Sequence, residues 1–239
     1  MIVENDLTNR KKIYLAVLIA LFLLASALVM FTWFPSPSEI LWGGILVVWV
    51  LIVVFWLSKI VSRKWNKYVA RKFIHFFTGG LVAVIAPYIF EVPTIPVLGA
   101  LFMALVTVAP RIWNKDLDWF QIEKNFGDTW FCISFAILFL TFWYIDKVIA
   151  ITAALFMAVG DGITGIVRNK VYKRHVKGFW GSVAMLIVSA VIGVLYKGIP
   201  GVVTAIIATI IEKIPLIDDN ISVPLVSAGV LYIIPFLMP

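Results

Sequence analysis

The stretch IYLAVLIALFLLASALVMFTWF, Ile13 to Phe34, decides the fold, because it contains no charged side chain. An apolar run of 18 residues or more predicts a transmembrane helix. Arg10, Lys11 and Lys12 precede the run, as in a signal peptide, but the run is too long for a signal-peptide core and no A-x-A-like cleavage site follows it. We therefore expect a retained first membrane span.

The rest of the chain repeats this pattern. Of its 239 residues, 62% are hydrophobic and 14% are charged, and the mean hydropathy is +1.03. This composition predicts an all-α, polytopic membrane helix bundle with about 7–9 transmembrane segments. The sixth to eighth segments fall short of the ~20 residues of a full span, which predicts tilted, partial or bundle-buried helices. The nine apolar runs are Ile13–Phe34, Ile40–Leu57, Phe73–Phe90, Val92–Val108, Thr129–Ile145, Val148–Val159, Ser182–Tyr196, Ile199–Ile211 and Ile221–Leu237.

The net charge is +7, and the basic residues that produce it lie in the loops between these runs. This placement indicates a role in membrane orientation rather than nucleic-acid binding. Lysine and arginine crowd the alternate loops 58–72, 110–128 and 161–181, whereas the opposite loops offer only Lys147 and Lys197. The positive-inside rule then predicts that the N-terminus and the basic loops are cytoplasmic. The single cysteine, Cys132, excludes an intramolecular disulfide and a cysteine-based metal site.

The stretch AVGDGITGIVRNK, 158–170, matches the phosphate-binding pattern G-x-G-x-x-G through Gly160, Gly162 and Gly165. A dinucleotide-binding fold needs a strand before the glycines and an acid about 20 residues after them. Here an apolar run precedes the glycines and no acid lies between Asp161 and Glu212, so a dinucleotide-binding fold is excluded. The Walker A pattern G-x-x-x-x-G-K-[ST] is also absent from the sequence. Small residues at this spacing are also common at membrane helix contacts, and this alternative stays open.

Asp161 favours a functional site, because a carboxylate at mid-depth in a membrane costs about 2.5–3.5 kcal/mol. The flanking glycines let a ligand or metal approach the backbone. Downstream, HVKGFWGSVAM places Lys177, Gly181 and Ser182 at the start of the next apolar run, where amides, a hydroxyl and an ammonium suit a phosphate. An Asp that binds Mg²⁺, together with such phosphate-binding groups, is the smallest set of residues that phosphoryl transfer requires. Taken alone, Lys177 is better explained as a positive-inside anchor.

Three other stretches on the basic side add candidates. ARKFIHFFTGG places Arg71, a candidate phosphate ligand, one helical turn before His75, which either shuttles a proton or is a satisfied interfacial histidine. EKNFGDTWF places Asp128 at the mouth of the fifth segment. IIEKIPLIDDNISVP supplies oxygen ligands that suggest a divalent metal: Glu212, Asp218, Asp219 and Asn220.

Together these stretches resemble the polyprenol kinase family, which comprises dolichol kinases, phytol kinases and CTP-dependent diacylglycerol kinases. The matching blocks occur in the family's order between Arg71 and Pro224: RKFIHFFTGG, NFGDTWF, VGDGITGIVRNKVYKRHVKGFWGSVAM and IEKIPLIDDNISVP. The resemblance implies a multispanning enzyme that moves the γ-phosphate of CTP onto a long-chain lipid alcohol with Mg²⁺. It assigns to the CTP–Mg²⁺ pocket Asp161, Gly162, Lys177, Gly181 and Ser182, completed by Arg71, His75, Glu212, Asp219 and Asn220.

One block departs from the family pattern. Family members often read Lys-Ser-x-Glu-Gly-Ser where this chain reads KGFWGS, so Gly178 and Trp180 replace the serine and the glutamate. A role for that glutamate as a metal ligand or base is therefore not carried over. The resemblance divides the single membrane domain 1–239 into an N-terminal two-helix segment, 1–62, and a lipid-kinase-like catalytic core, 63–239.

The resulting hypothesis has CTP bound at the cytoplasmic face and the alcohol entering sideways from the bilayer. Lys177, Arg71 and a Gly160–Gly162 turn, with Gly165, would hold the phosphates. Asp161 would be the leading Mg²⁺ ligand with Asp219 or Glu212, and the proton acceptor stays open among Asp128, Asp161 and His75. Two alternatives remain: a CTP:phosphatidate-type cytidylyltransferase, and a transporter with ionisable groups at mid-membrane in related repeats.

Overall fold

The computed structural model describes residues 2–172, 177–214 and 217–237, with side chains from Thr8 onward. Within these ranges the chain is helical between short connections and contains no strand. Lys173 and Arg174, which contribute to the basic loop 161–181, lie outside the described residues. The described residues form eight helical segments: α1 Ile2–Thr32, α2 Pro37–Lys64, α3 Lys67–Ile89, α4 Thr94–Ile112, α5 Gly127–Phe142, α6 Lys147–Tyr172, α7 Phe179–Lys213 and α8 Asp219–Leu237.

Seven of these helices are long and apolar enough to cross a membrane, and α5 is a shorter apolar helix. Large apolar side chains of α1, among them Leu21, Leu24 and Leu28, are more than half exposed. Such a surface is stable against lipid tails and unstable against water. The protein is therefore a multi-pass membrane protein, and the predicted all-α helix bundle is confirmed.

Helix α7 is a helical hairpin rather than one straight rod. Gly198 has φ +61° and ψ −135°, a conformation that favours glycine. A Cβ atom on Gly193 would lie 2.4 Å from the carbonyl oxygen of Gly201, although residues eight apart in a straight helix are separated by about 12 Å. The halves 179–197 and 199–213 therefore run antiparallel, as the separate apolar runs Ser182–Tyr196 and Ile199–Ile211 predict.

This close backbone contact yields a stability prediction. We expect Gly193→Val to destabilise the protein by about 3 kcal/mol or more, because its side chain collides with backbone that cannot rotate away. Gly229→Val in α8 is the matched control, since a Cβ there meets no atom within 4 Å. Thermal unfolding in detergent measures both variants. Equal melting temperatures for the two variants would contradict the hairpin contact.

Side-chain caps fix the helix ends on both sides of the bundle. Ser36 and Glu39 form a capping box at the start of α2. Buried Glu39 also accepts hydrogen bonds from the backbone amides of Glu91, at 2.8 Å, and Val92, at 3.1 Å. Asn66 caps α3 through the amide of Val69. These caps link each short connection to a neighbouring helix or loop and fix the residue at which α2 and α3 begin.

Three helices contain a π-helical turn, at Val53–Leu57 in α2, His75–Gly80 in α3 and Phe156–Asp161 in α6. A π turn interrupts the regular backbone hydrogen bonds, and two of the affected carbonyl oxygens accept from indoles: Trp119 to Val54 and Trp49 to Phe77, both at 2.9 Å. The π turns of α3 and α6 pack against each other at Gly80. Such turns occur frequently at functional sites, and these two carry His75 and Asp161.

The sixth apolar run is longer than predicted. Helix α6 continues from Lys147 to Tyr172 through all three glycines, so the segment predicted as a Gly160–Gly162 turn is helical. Each helical glycine costs about 1 kcal/mol relative to alanine. Close packing offsets this cost, because a Cβ would lie 2.6 Å from Ser189 Oγ at Gly160 and 2.6 Å from Lys72 Cε at Gly165. At these positions the helix-contact alternative describes the structure.

Candidate active site

Three carboxylates from distant parts of the chain meet at the basic end of the bundle. One oxygen each of Asp161, Glu212 and Asp219 lies within 4.8 Å of the other two. Asp161 ends the π turn of α6, Glu212 lies in the last turn of α7, and Asp219 begins α8. The structure thus brings three of the predicted metal ligands into one cluster, which we call the carboxylate cluster.

The two buried members of the carboxylate cluster are each paired with a basic side chain. Lys72 of α3 forms an ion pair with Asp161 Oδ2. Arg168 of α6 donates to both oxygens of Glu212, at 2.7 and 2.9 Å. A buried charge requires such compensation, because removing one partner leaves the other unpaired in a medium of low dielectric constant.

Lys177 is an exposed cation of the site. Its Nζ lies 3.8 Å from both Glu212 Oε1 and Asp219 Oδ2, and it donates a hydrogen bond to the backbone oxygen of Glu212. The Lys177 side chain is 37% exposed and that of Asp219 26%, whereas Glu212 is fully buried. The site therefore opens to the outside of the bundle beside Lys177, where a polar ligand has access.

The donor atoms of the carboxylate cluster fit magnesium. Mg²⁺ prefers oxygen ligands in octahedral geometry at 2.0–2.1 Å, which places neighbouring ligand oxygens about 3 Å apart and opposite ones about 4 Å apart. The spacing within 4.8 Å approaches this range. Asn220, next to Asp219, adds a buried Oδ1 without a hydrogen-bond partner, while its Nδ2 donates to Asp219 Oδ1 at 3.2 Å. These residues, all predicted from the sequence, suit a divalent cation.

Arg71 lies next to this group and is also buried. Its Nη1 donates to Asn125 Oδ1 at 2.7 Å, and its Nε has no hydrogen-bond partner. A Cβ on Gly127 would lie 2.2 Å from Arg71 Nη2 and 2.7 Å from Asn220 Nδ2. Gly127 therefore leaves room for the guanidinium between α5 and the start of α8, where Arg71 can contact an anion held near Asn220.

Asp128 lies apart from the carboxylate cluster. Its Oδ1 accepts from Arg111 Nη2 at 2.8 Å and its Oδ2 accepts from Gln121 Nε2 at 2.6 Å. Both oxygens are thus engaged in buried contacts that tie α4, through Arg111, and the 113–126 loop, through Gln121, to α5. This arrangement favours a structural ion pair for Asp128 over proton transfer.

His75 stacks on Phe131, with ring centroids 4.0 Å apart and an angle of 22° between the rings. The residue is 2% exposed, and among the described residues neither ring nitrogen has a hydrogen-bond partner. The alternative of a satisfied interfacial histidine does not describe this geometry. A buried imidazole without partners is instead available to a ligand.

The remaining predicted nucleotide-binding residues border the basic side chains. A Cβ on Gly181 would lie 2.2 Å from Arg168 Nε, and one on Gly162 would lie 4.0 Å from the backbone oxygen of Lys72. Ser182 has a buried Oγ without a partner. At Gly181 and Gly165 the missing side chain makes space for Arg168 and Lys72, which the sequence pattern alone did not indicate.

Sequence reasoning missed two basic residues of the site, Lys72 and Arg168, and a third, Arg111, that pairs with Asp128 outside it. Arg168 lies seven residues after Asp161, two turns along the same helix face, and this spacing is the signal that identifies it. Lys72 was counted only as one of the positive charges of loop 58–72. Arg111 carries no local signal, because its partner Asp128 is distant along the chain.

An apolar cavity lies between α2, α3, α4 and α5. Arg71, His75 and Asp128 line its basic end. The cavity thus begins beside the residues described above and continues into the hydrophobic part of the bundle.

No protein-family model, curated protein or solved structure matches this chain. The functional assignment therefore depends on the residues of this chain and their geometry.

Proposed function

We propose that the protein is a CTP-dependent phosphotransferase that phosphorylates a long-chain isoprenoid lipid alcohol, such as a dolichol or other polyprenol, phytol or geranylgeraniol. The observation that carries the proposal is the carboxylate cluster with its three basic partners at the end of a membrane helix bundle. Phosphoryl transfer needs positioning and charge neutralisation more than covalent chemistry, and this set of groups supplies both. The resemblance to polyprenol kinases supports CTP as the donor and lipid alcohols as acceptors.

In this proposal the acidic residues of the site bind the metal and the basic residues bind the phosphates. Asp161, Glu212 and Asp219 hold Mg²⁺, with Asn220 as a further oxygen ligand. When bound, the metal neutralises negative charge on the transferring phosphate. Lys177, which is partly exposed, and Arg71, which is buried, hold phosphate oxygens.

The acceptor hydroxyl oxygen attacks the γ-phosphorus of CTP, the bond from that phosphorus to the β-phosphate oxygen breaks, and CDP leaves. The hydroxyl proton passes to a base. Of the three sequence candidates the geometry favours His75, because its nitrogens have no partner, whereas Asp128 is held by Arg111 and Gln121 and Asp161 by Lys72. The basic end of the bundle faces the cytoplasm in this proposal, where CTP is available.

The test uses the purified full chain in detergent with Mg²⁺, a panel of lipid alcohols, phosphatidate, and CTP labelled separately at the α- and γ-phosphates. We expect label from the γ-phosphate in the lipid fraction with an alcohol as acceptor. Label from the α-phosphate, with phosphatidate as acceptor, would establish a cytidylyltransferase instead. Absence of label with every acceptor would overturn both enzyme assignments and leave a transporter.

A further inference from the structure

The apolar cavity between α2, α3, α4 and α5 is polar at one end only. Its polar lining groups lie near the basic ends of the helices: Arg71, His75 and Thr78 on α3, Thr107 on α4 and Asp128 on α5. Towards the opposite end the wall is apolar, with Phe90, Ile95 and Pro96. This gradient matches a molecule that has one polar end and one long apolar chain.

The depth of the cavity matches the apolar thickness of one membrane leaflet. Lining residues extend from Arg71 to Val82 on α3 and from Gly43 to Val54 on α2. Eleven helical residues correspond to about 16 Å, roughly half of the ~30 Å hydrocarbon core of a bilayer. The cavity is therefore long enough for a single alkyl or isoprenoid chain of leaflet length whose polar end lies at the level of His75.

The cavity also has a lateral opening. Val47 of α2 and Phe102 of α4 line the cavity and are 39% and 41% exposed. Both side chains belong to membrane-crossing helices, so this exposed surface faces lipid. A lipid can thus reach this part of the cavity wall from the bilayer without crossing the polar end.

We infer that this cavity is the acceptor site and that it takes a lipid alcohol with one apolar chain, the chain in the cavity and the hydroxyl at His75. The unpartnered ring nitrogens of the buried His75 are a second observation for a polar ligand at this end, independent of the apolar lining. The identification of the ligand as the acceptor rests on the proposed function. The binding site itself does not.

The test is equilibrium binding of hexadecanol that carries a photoreactive diazirine at its tail carbon, without nucleotide. Gly99 lines the cavity, and a Cβ there meets no atom within 4 Å, so Gly99→Phe fills the cavity without a collision at its first atom. Gly44, on the exposed face of α2, has the same freedom and does not line the cavity, which makes Gly44→Phe the matched control. We expect at least a tenfold loss of binding for Gly99→Phe and wild-type binding for Gly44→Phe.

The polar end is tested with His75→Phe, which keeps an aromatic ring against Phe131. One hydrogen bond corresponds to roughly a tenfold change in affinity. We expect wild-type protein to bind hexadecanol about tenfold more tightly than its methyl ether, which cannot donate a hydrogen bond to His75. We expect His75→Phe to bind the two compounds equally. An unchanged preference would contradict the placement of the hydroxyl.

The position of the bound chain is read from the residues that the diazirine labels. Labelling near Phe90, Ile95 or Pro96 supports the inference, and labelling confined to the exposed faces of the helices overturns it. Equal competition by a two-chain diacylglycerol would overturn the single-chain assignment. If the alcohol binds as expected but no phosphate transfer occurs, the proposed function fails and the binding site stands. If phosphate transfer occurs but Gly99→Phe still binds the alcohol normally, the proposed function stands and the binding site in the cavity is overturned.

Discussion

Asp161→Asn is expected to lower kcat/KM for phosphate transfer to a lipid alcohol by about a thousandfold. An amide cannot replace the charge of a carboxylate that binds Mg²⁺, and electrostatic groups at a transferring phosphate contribute on the order of 10²–10³-fold each. Asp161 is 4% exposed, lies in the carboxylate cluster with Glu212 and Asp219, and forms an ion pair with Lys72. Steady-state kinetics with γ-labelled CTP measure the effect.

The same substitution also leaves buried Lys72 without its partner, and loss of folding would imitate loss of chemistry. The double variant Lys72→Gln, Asp161→Asn removes both charges and separates the two explanations. A folded and inactive double variant supports a metal-binding role for Asp161. A folded double variant with near-normal turnover would show that Asp161 serves only to neutralise Lys72. Asp118→Asn, on an exposed loop at the same end, is the control and should keep full activity.

The membrane helices could be predicted from the sequence because their signal is local. A run without charge, such as Ile13–Phe34, has few stable alternatives in a bilayer. Even the hairpin in α7 left a local signal, since Lys197 and Gly198 interrupt the apolar run where the chain reverses. The end of α6 was misjudged for the opposite reason. Gly160, Gly162 and Gly165 disfavour a helix locally, and the side chains that pack against them come from α3 and α7.

The candidate site shows the same division. Acidic residues at the ends of apolar runs identified Asp161, Glu212 and Asp219, because an acid near a membrane is costly wherever it lies. Their partners were harder to predict. Lys72 and Arg168 resemble ordinary positive-inside residues in the sequence, and only the packing of α3 and α6 shows that they are buried. A charge count places basic residues on a side of the membrane but does not separate solvated from paired ones.

Glu212→Gln is expected to destabilise the protein by about 3–5 kcal/mol, the second large effect. Glu212 is fully buried and accepts both hydrogen bonds of the Arg168 guanidinium, so the substitution leaves a buried cation without a counter-charge. The ion pair of Lys197 with Asp146, at the opposite end, is more exposed. Asp146→Asn should therefore cost less than about 1 kcal/mol. Thermal unfolding in detergent compares the two.

The double variant Arg168→Met, Glu212→Leu decides between charge pairing and another structural role for Glu212. Replacing both members of a buried ion pair by apolar side chains of similar size is often neutral or stabilising, so we expect the melting temperature to recover. Activity should not recover, because the metal site still lacks a carboxylate. A double variant that remains as unstable as Glu212→Gln would show that Glu212 stabilises the fold through contacts other than Arg168. A recovered variant with full activity would remove Glu212 from the metal site.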